Sequence, residues 1–306
     1  MSKKQNLMEQ FRNIGLMGRP GNTTVVDTLE YLRDRLILRG LHVILDEDTA
    51  ALMPDSGLQV CSRAMLGESC DLIIVVGGDG SLLHAARNLA RFKKPVLGIN
   101  RGHLGFLTDV SPDEIDAKLG AVLAGDYRID QRSLLSLEVR SGGSRVGEGI
   151  ALNDVVLQAG KAVHMLEFEL YIEGQFVYRQ RSDGLIIATP TGSTAYALSG
   201  GGPIMHPRLD AVVLVPMHPH TLSSRPIVVD GNSEIKILIC SENLLPLVSA
   251  DGQPGIALRG GDWVYITKHP HRLQLLHPPG YDFYAACRTK LGWSSHLTDP
   301  RKGSNN

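Results

Sequence analysis

A chain of 306 residues, 43% apolar and 21% charged, has the balance of a soluble globular protein and enough length for two domains with separate cores. Its 31 basic residues against 32 acidic ones give no cationic excess of the kind that draws a protein to nucleic acid. No stretch approaches eighteen uninterrupted apolar residues, and the N-terminal MSKKQNLMEQF lacks the apolar core of a signal peptide, so the expectation is a cytoplasmic protein with neither a membrane nor a nucleic-acid partner.

Residues 13–17 read as a short first strand, followed by the loop Gly18-Arg19-Pro20-Gly21. A helix begins near Asn22 or Thr23, carries Val25, Val26, Leu29, Leu32, Leu36 and Ile37 on one face, and stops at Gly40. The next strand is 41–45. The polar segment 46–71 holds at most one short helix, around 57–66. Residues 72–76 are five aliphatic residues without alternation, as expected of a strand covered on both faces. After Gly77-Gly78-Asp79-Gly80, the spacing of Leu82, Leu83, Ala85, Ala86, Leu89 and Ala90 predicts a helix starting near Ser81.

That glycine loop is the first candidate site. The first amides of a helix lack partners within it, and glycines let a phosphate approach the backbone closely, so the turn suits an anion. A bare carboxylate gains nothing by facing a phosphate. Asp79 is therefore expected to face a hydroxyl, a metal ion or, as a simple helix cap, the amides of its own helix. The loop is not a Walker A motif, because no Gly-Lys-Ser/Thr follows, and Leu83 stands where the last glycine of G-x-G-x-x-G would be.

Residues 95–100 form another buried strand, leading into Asn100-Arg101-Gly102-His103-Leu104-Gly105-Phe106-Leu107. Ser111-Pro112-Asp113-Glu114 opens the following helix with a capping box, Ile115, Leu119, Val122 and Leu123 line its face, and Gly125 closes it. Strands alternating with helices predict a parallel sheet whose ligand crevice lies beyond the carboxyl ends of its strands, where both the glycine loop and 100–107 fall.

From Arg132 the period changes to alternation, with turns at Gly142-Gly143 and Glu173-Gly174 and strand candidates at 165–172, 175–179, 185–189, 212–215, 227–229, 235–240, 245–249, 263–267 and 273–276. The expected fold class is an α/β N-terminal domain with a parallel sheet, followed by a mostly-β C-terminal domain of two sheets face to face. The expected division is 1–131 and 132–276. A last helix over 281–291 returns to the first domain, completing it with 277–306.

Within the second domain, Asn153-Asp154 lies between apolar runs and is either a turn or a hydrogen-bonding pair; an amide can read ring nitrogens and a carboxylate can accept from ribose hydroxyls. Arg181 and Asp183 read either as ligand contacts or as surface charges in a turn. The segment 191–203 (TGSTAYALSGGGP) combines hydroxyls, glycines and one aromatic around a short helix, a surface able to admit a planar ring by close backbone approach. Asp251-Gly252-Gln253 reads as a turn. The four cysteines are far apart, which implies free thiols, and the prolines beside His218 and His220 argue for a loop, so no metal site is assigned.

Gly77-Gly78-Asp79-Gly80 alone is weak, because phosphofructokinases and lipid kinases share it. Combined with the 100–107 segment, Asn153-Asp154, Asp183-Gly184, residues 189–203 and Lys290-Leu291-Gly292-Trp293, it resembles the bacterial NAD kinases over essentially the whole chain. The resemblance implies phosphorylation of the adenosine 2′-hydroxyl of NAD by ATP with Mg²⁺ or another divalent cation, in a homodimer or homotetramer that holds the dinucleotide between its domains. It implies Asp79 as the base. The dinucleotide contacts it implies are Gly80, His84, Phe106, Asn153, Asp154, His164, Arg181, Asp183, Thr194, Ala195, Tyr196, Ala197, Leu198, Ser199 and Gln253. His84 and His164 stand where many relatives carry Arg or Lys, which would make phosphate contacts there pH-dependent.

Overall fold

The structure, a computed structural model, describes residues 11–19, 23–101, 105–160, 165–221, 223–242 and 244–293. They fall into two units, one comprising Met1–Ala85, Lys94–Asp130 and Leu275–Asn306, the other Ala86–Lys93 and Gln131–Gln274.

The first unit is built on a seven-stranded sheet in the order Gln59–Cys61, His42–Asp46, Asn13–Gly18, Leu72–Gly77, Pro95–Asn100, Leu273–His277, Arg128–Arg132. The first five strands pair in parallel. Leu72–Gly77 is buried along its whole length, as its unbroken aliphatic run requires. From Asn13–Gly18 the chain steps outward through His42–Asp46 to Gln59–Cys61, then returns to place Leu72–Gly77 on the other side. The strand order therefore reverses between Asn13–Gly18 and Leu72–Gly77, and the carboxyl ends of those two neighbours flank the crevice where doubly wound sheets bind ligands. Helix Thr23–Leu38 covers one face with Val25, Leu29, Leu32 and Leu36. Helix Phe283–Leu291, capped by Asp282, belongs to this unit, so the C-terminal helix does return to the first domain.

Several elements differ from expectation. Leu273–His277 joins this sheet instead of those of the second unit. Its alternation marks a strand, but nothing local names its partner. His277 anchors it: the fully buried ring has Nδ1 2.9 Å from Asp109 Oδ2 and Nε2 3.6 Å from Asp130 Oδ2, and stacks on Tyr281 at 3.7 Å. Arg128–Arg132, sequence RIDQR, is an added strand that its charges conceal. Segment 46–71, expected to hold at most one short helix around 57–66, holds two, Glu47–Ala50 capped by Asp46 and Arg63–Ser69 started by the Ser62 hydroxyl accepting from the Met65 amide, with strand Gln59–Cys61 between them. The helix after the glycine loop spans Asp79–Leu89, so Asp79 and Gly80 lie in its first turn.

The second unit holds two antiparallel six-stranded sheets. One runs Gln175–Ser182, Leu166–Ile172, Ile235–Ile239, Trp263–Lys268, Leu135–Ser141, Ser144–Ala151. The other runs Ile227–Asp230, Ala211–Met217, Gly184–Ala188, Asp154–Gln158, Leu247–Ala250, Ile256–Ala257. Leu137, Phe168, Leu170 and Ile237 of the first meet Val155, Leu157, Leu185 and Ile187 of the second in one core. The second sheet's other face is also covered, with Ala197 and Met205 packed on Ile186, Val213 and Val215. Burial on both faces explains why Gly184–Ala188 reads GLIIA and not as an alternation.

At Gly98, in Pro95–Asn100, a Cβ would stand 2.8 Å from Leu107 O, 2.8 Å from Leu82 Cδ1 and 2.9 Å from Thr108 Cγ2. The bare backbone lets the segment after Gly105 lie against the strand. Gly98→Val is expected to destabilise the fold by about 2 kcal/mol through overpacking, read as a lower urea midpoint.

Candidate active site

The glycine loop adopts a shape only glycine tolerates at its first position: Gly77 has φ +152°, and a Cβ there would overlap the Ser81 hydroxyl. Gly78 and Gly80 are exposed. Asp79 does not cap its own helix. Its carboxylate reaches across to the segment after Pro95–Asn100: the Phe106 amide donates to Oδ2 at 2.8 Å, the Leu107 amide to Oδ1 at 3.1 Å and the Thr108 hydroxyl to Oδ1 at 3.2 Å. Lys290 Nζ, on the C-terminal helix, lies 3.7 Å from Oδ2 and 4.9 Å from the centre of the Phe106 ring. Gly105 is required beside this carboxylate, because a Cβ would overlap it. His84 is half-buried on the same helix. Arg19 follows the first strand, with Nη1 3.6 Å from where a Cβ on Gly80 would be.

Thr108, Lys290 and Arg19 are thus neighbours of the loop that residue-by-residue reading did not single out. Arg19 was within reach of it, since a cation at the carboxyl end of the first strand sits at the switch point. Nothing local marks Thr108, and Lys290 stood in the Lys290–Trp293 segment of the resemblance without a role of its own; they arrive from 29 and 211 residues along the chain (108 − 79 and 290 − 79).

In the second unit, Asn153-Asp154 is a turn held from below by an acid the sequence left as a plain turn residue. The Asp251 side chain is fully buried at a backbone φ of +49°. It accepts from the Leu152 amide (2.8 Å), the Asn153 amide (2.8 Å) and the Asp154 amide (3.2 Å), and Arg87 Nη1 lies 3.4 Å away. Burial pushes the Asp251 pKa up, and those amides and Arg87 oppose it. Asp154 has no such compensation. Burial first, and the charge of Asp251 second, push its carboxyl up to about 7. Of the two acids Asp154 is therefore the one that holds a proton near neutrality.

The glycine-rich segment lies against this turn. Thr189 Oγ1 donates to Leu152 O at 2.6 Å, the Thr189 amide to Asn153 O at 2.9 Å, and Gly192 sits so close that a Cβ would overlap the Asn153 carbonyl. Thr194 ends a 3-10 turn, Gly192–Thr194. Ala195 breaks it, and Tyr196–Ser199 is a single helical turn with Tyr196 exposed, Leu198 half-buried, Ser199 exposed and Ala197 buried in the core. Gln253 is exposed just beyond Asp251. Asn153, Asp154 and residues 189–199 thus form one cluster.

Arg181 and Asp183 do not join it. Gly184 pairs with Gln158 and Ala188 with Asp154, so Asp183 lies beyond the far end of these strands, about 17 Å away at 3.3 Å per residue. There Asp183 Oδ2 is 2.9 Å from His218 Nδ1, and Arg181 O accepts from the His220 amide. His164 lies outside the described residues. Among the described residues no group of three His, Cys, Asp or Glu could hold a metal ion.

Two outcomes follow from the Asp251 and Asp154 geometry. Asp251→Asn removes the buried charge that Arg87 faces and turns a donor toward donating amides, and is expected to cost about 3 kcal/mol in urea unfolding. Asp154 holds a proton in the folded chain that the unfolded chain releases above its ordinary value of 3.8. Its contribution is whole below that value and is lost as pH rises through about 7. The melting temperature of Asp154→Asn relative to the unsubstituted chain is expected to climb between pH 5 and pH 8; a flat difference would show that Asp154 carries no such proton.

Comparison with known proteins assigns this arrangement. Residues 14–127 match the ATP-NAD kinase N-terminal domain and residues 152–277 the ATP-NAD kinase C-terminal domain. The chain is 63% identical over 286 residues to the NAD kinase of Acinetobacter baylyi, covering 94% of this chain and 93% of that one. It is 61% identical over 298 residues to that of Alcanivorax borkumensis, covering 97% and 98%. Among solved structures, yeast NADH kinase complexed with NADH superposes with a TM-score of 0.87 at 26% identity, over 95% of this chain and 90% of that one. The NAD kinase of Archaeoglobus fulgidus in complex with ATP superposes at 0.69 and 25%, over 94% and 100%. With both domains matched and relatives this similar over nearly its full length, the chain belongs to the ATP-NAD kinase family.

Proposed function

We propose that this chain transfers the γ-phosphoryl group of ATP to the 2′-hydroxyl of the adenosine ribose of NAD, giving NADP and ADP. The observation that carries the reading is the placement of Asp79: a half-exposed carboxylate among exposed glycines, at the carboxyl end of a central parallel strand, oriented by two backbone amides. Phosphoryl transfer through a loose transition state needs positioning and charge neutralisation more than covalent help. Asp79 orients the ribose hydroxyl and takes its proton as the new bond forms, and the amides of the glycine loop receive ATP phosphate oxygens.

The remaining roles follow the family resemblance. Gly80, His84 and Phe106 lie against the dinucleotide, and Asn153 and Asp154 read the adenosine. Thr194, Ala195, Tyr196, Ala197, Leu198, Ser199 and Gln253 shape its pocket. Arg181 and Asp183, remote from that cluster within one chain, serve a neighbouring subunit of a homodimer or homotetramer, as does His164. The domain division is 1–131 with 277–306 against 132–276, and the protein works in the cytoplasm. A divalent cation such as Mg²⁺ enters on the ATP phosphates as part of the substrate; Asp79 does not fit as its ligand, because its oxygens already accept from two amides and a hydroxyl beside an ammonium group.

Incubation with NAD, ATP and Mg²⁺ is expected to yield NADP, detected by an NADP-dependent dehydrogenase, and no signal would favour a sensor that binds NAD without consuming ATP. Asp79→Asn is expected to lower kcat by roughly 10²–10⁴-fold. The same substitution aims an amide nitrogen at a donor, so the fold is expected to lose about 1–3 kcal/mol as well. An unchanged rate removes Asp79 from the chemistry.

A further inference from the structure

A carboxylate offers about four lone-pair directions. At Asp79 three are taken, Oδ2 by the Phe106 amide and Oδ1 by the Leu107 amide and the Thr108 hydroxyl, and Lys290 Nζ faces the fourth, on Oδ2, at 3.7 Å, an ion-pair distance too long for a hydrogen bond. A ribose hydroxyl received on that fourth direction comes between Oδ2 and the Lys290 ammonium group. The two amides are fixed by the backbone they belong to, and Thr108 is fully buried, so no ligand can approach from its side. Lys290 differs on each count. It is the most distant partner at 3.7 Å, it sits on a long side chain in the last turn of its helix, and it marks the open side of the acid, with Asp79 29% and Lys290 25% exposed.

We propose that Lys290 is a catalytic residue that exchanges partners during the reaction: it neutralises Asp79 while the site is empty, and gives up that place to the ribose hydroxyl while its ammonium group moves onto the transferring phosphoryl group. This rests on the kinase reading above and deepens it. The bond from the ribose oxygen to Pγ forms as the bond from Pγ to the β,γ-bridging oxygen breaks. That electron pair leaves with ADP, and the hydroxyl proton passes to the Asp79 oxygen Lys290 has vacated. A single ammonium group suits the exchange, being a compact charge whose stem lets it swing a few ångströms between two oxygens. The Phe106 ring lies along that swing, with its centre 4.9 Å from Nζ, and supplies a face over which a cation moves without losing all electrostatic contact.

The test is Lys290→Met and Lys290→Arg in the full chain, with kcat and KM from the NADP readout, NAD binding by calorimetry without ATP, and melting temperature as the folding control. Lys290→Met is expected to lower kcat roughly 10²-fold, the worth of one donor to transition-state charge. It is expected to bind NAD at least as tightly as the unsubstituted enzyme, because the hydroxyl no longer displaces a cation, and Lys290→Arg is expected to recover at least a tenth of the lost rate. A merely structural lysine would lower the melting temperature and weaken NAD binding together, which would overturn the proposal. So would an unchanged kcat in Lys290→Met or, should that variant not fold, in Lys290→Gln. If the unsubstituted chain makes no NADP the kinase reading itself falls, an outcome distinct from an active enzyme indifferent to position 290.

Discussion

The glycine loop of the first domain is organised by one acid accepting from a loop that it does not belong to. Asp79 opens a helix, where its carboxylate could have satisfied its own helix amides; instead it receives the amides of Phe106 and Leu107. Hydrogen bonds to a charged acceptor contribute about 1.5–3 kcal/mol each, against about 1 kcal/mol for a neutral pair, so these contacts add to the burial of Leu107 in holding the segment. The glycines around it are consequences. Gly105 leaves room for the carboxylate, Gly98 lets Leu107 and Thr108 lie on the strand, and Gly77 makes the turn that aims Asp79 across the switch point.

The second domain uses an acid differently. Asp251 is sealed from water, and desolvating a carboxylate costs several kcal/mol unless donors surround it. Three consecutive amides and Arg87 do so, and the same three amides are the backbone of the Asn153-Asp154 turn. The charge therefore fixes the turn, and its field also acts on the side chain of Asp154, whose own amide is one of those contacts. With no cation of its own to offset burial, Asp154 is held near half-protonation at neutral pH. A neutral carboxyl can donate as well as accept, so the hydrogen-bonding character of Asp154 changes near neutral pH.

Legibility in the sequence divides along the same physical line. Elements set by local chemistry were readable: the aliphatic run Leu72–Gly77, the capping box at Ser111, and the turns at Gly142-Gly143 and Glu173-Gly174, where all four residues have positive φ. The position of Asp79 just past a strand end was readable too, although it opens the helix instead of lying in a loop before it. Its contacts were not: Phe106 and Lys290 stood in segments that carry the resemblance, but that Phe106, Leu107, Thr108 and Lys290 meet at one carboxylate follows only from how the fold brings their segments together. Asp251 failed for a subtler reason: Asp-Gly is the common signature of a surface turn, and only burial of the side chain separates a clamp from a bend. Leu273–His277 announced itself as a strand and concealed which sheet it completes, since that pairing is a property of topology and not of the five residues.

The separation of Arg181 and Asp183 from Asp154 is the part of the geometry that constrains any reading of the second domain most tightly. Strand register cannot slip without turning every buried side chain outward, and in Gly184–Ala188 both faces are packed, so there is no solvent face to receive Ile186 or Ile187. The roughly 13 Å between the two ends of that strand is thus fixed by the core itself. His218 reinforces it by pairing with Asp183 where the next strand ends. Adjacent members of one sequence motif set would ordinarily be taken to grip one part of a ligand. Here the packing forces them apart, so within one chain Asp183 and Asp154 cannot grip the same part of a ligand.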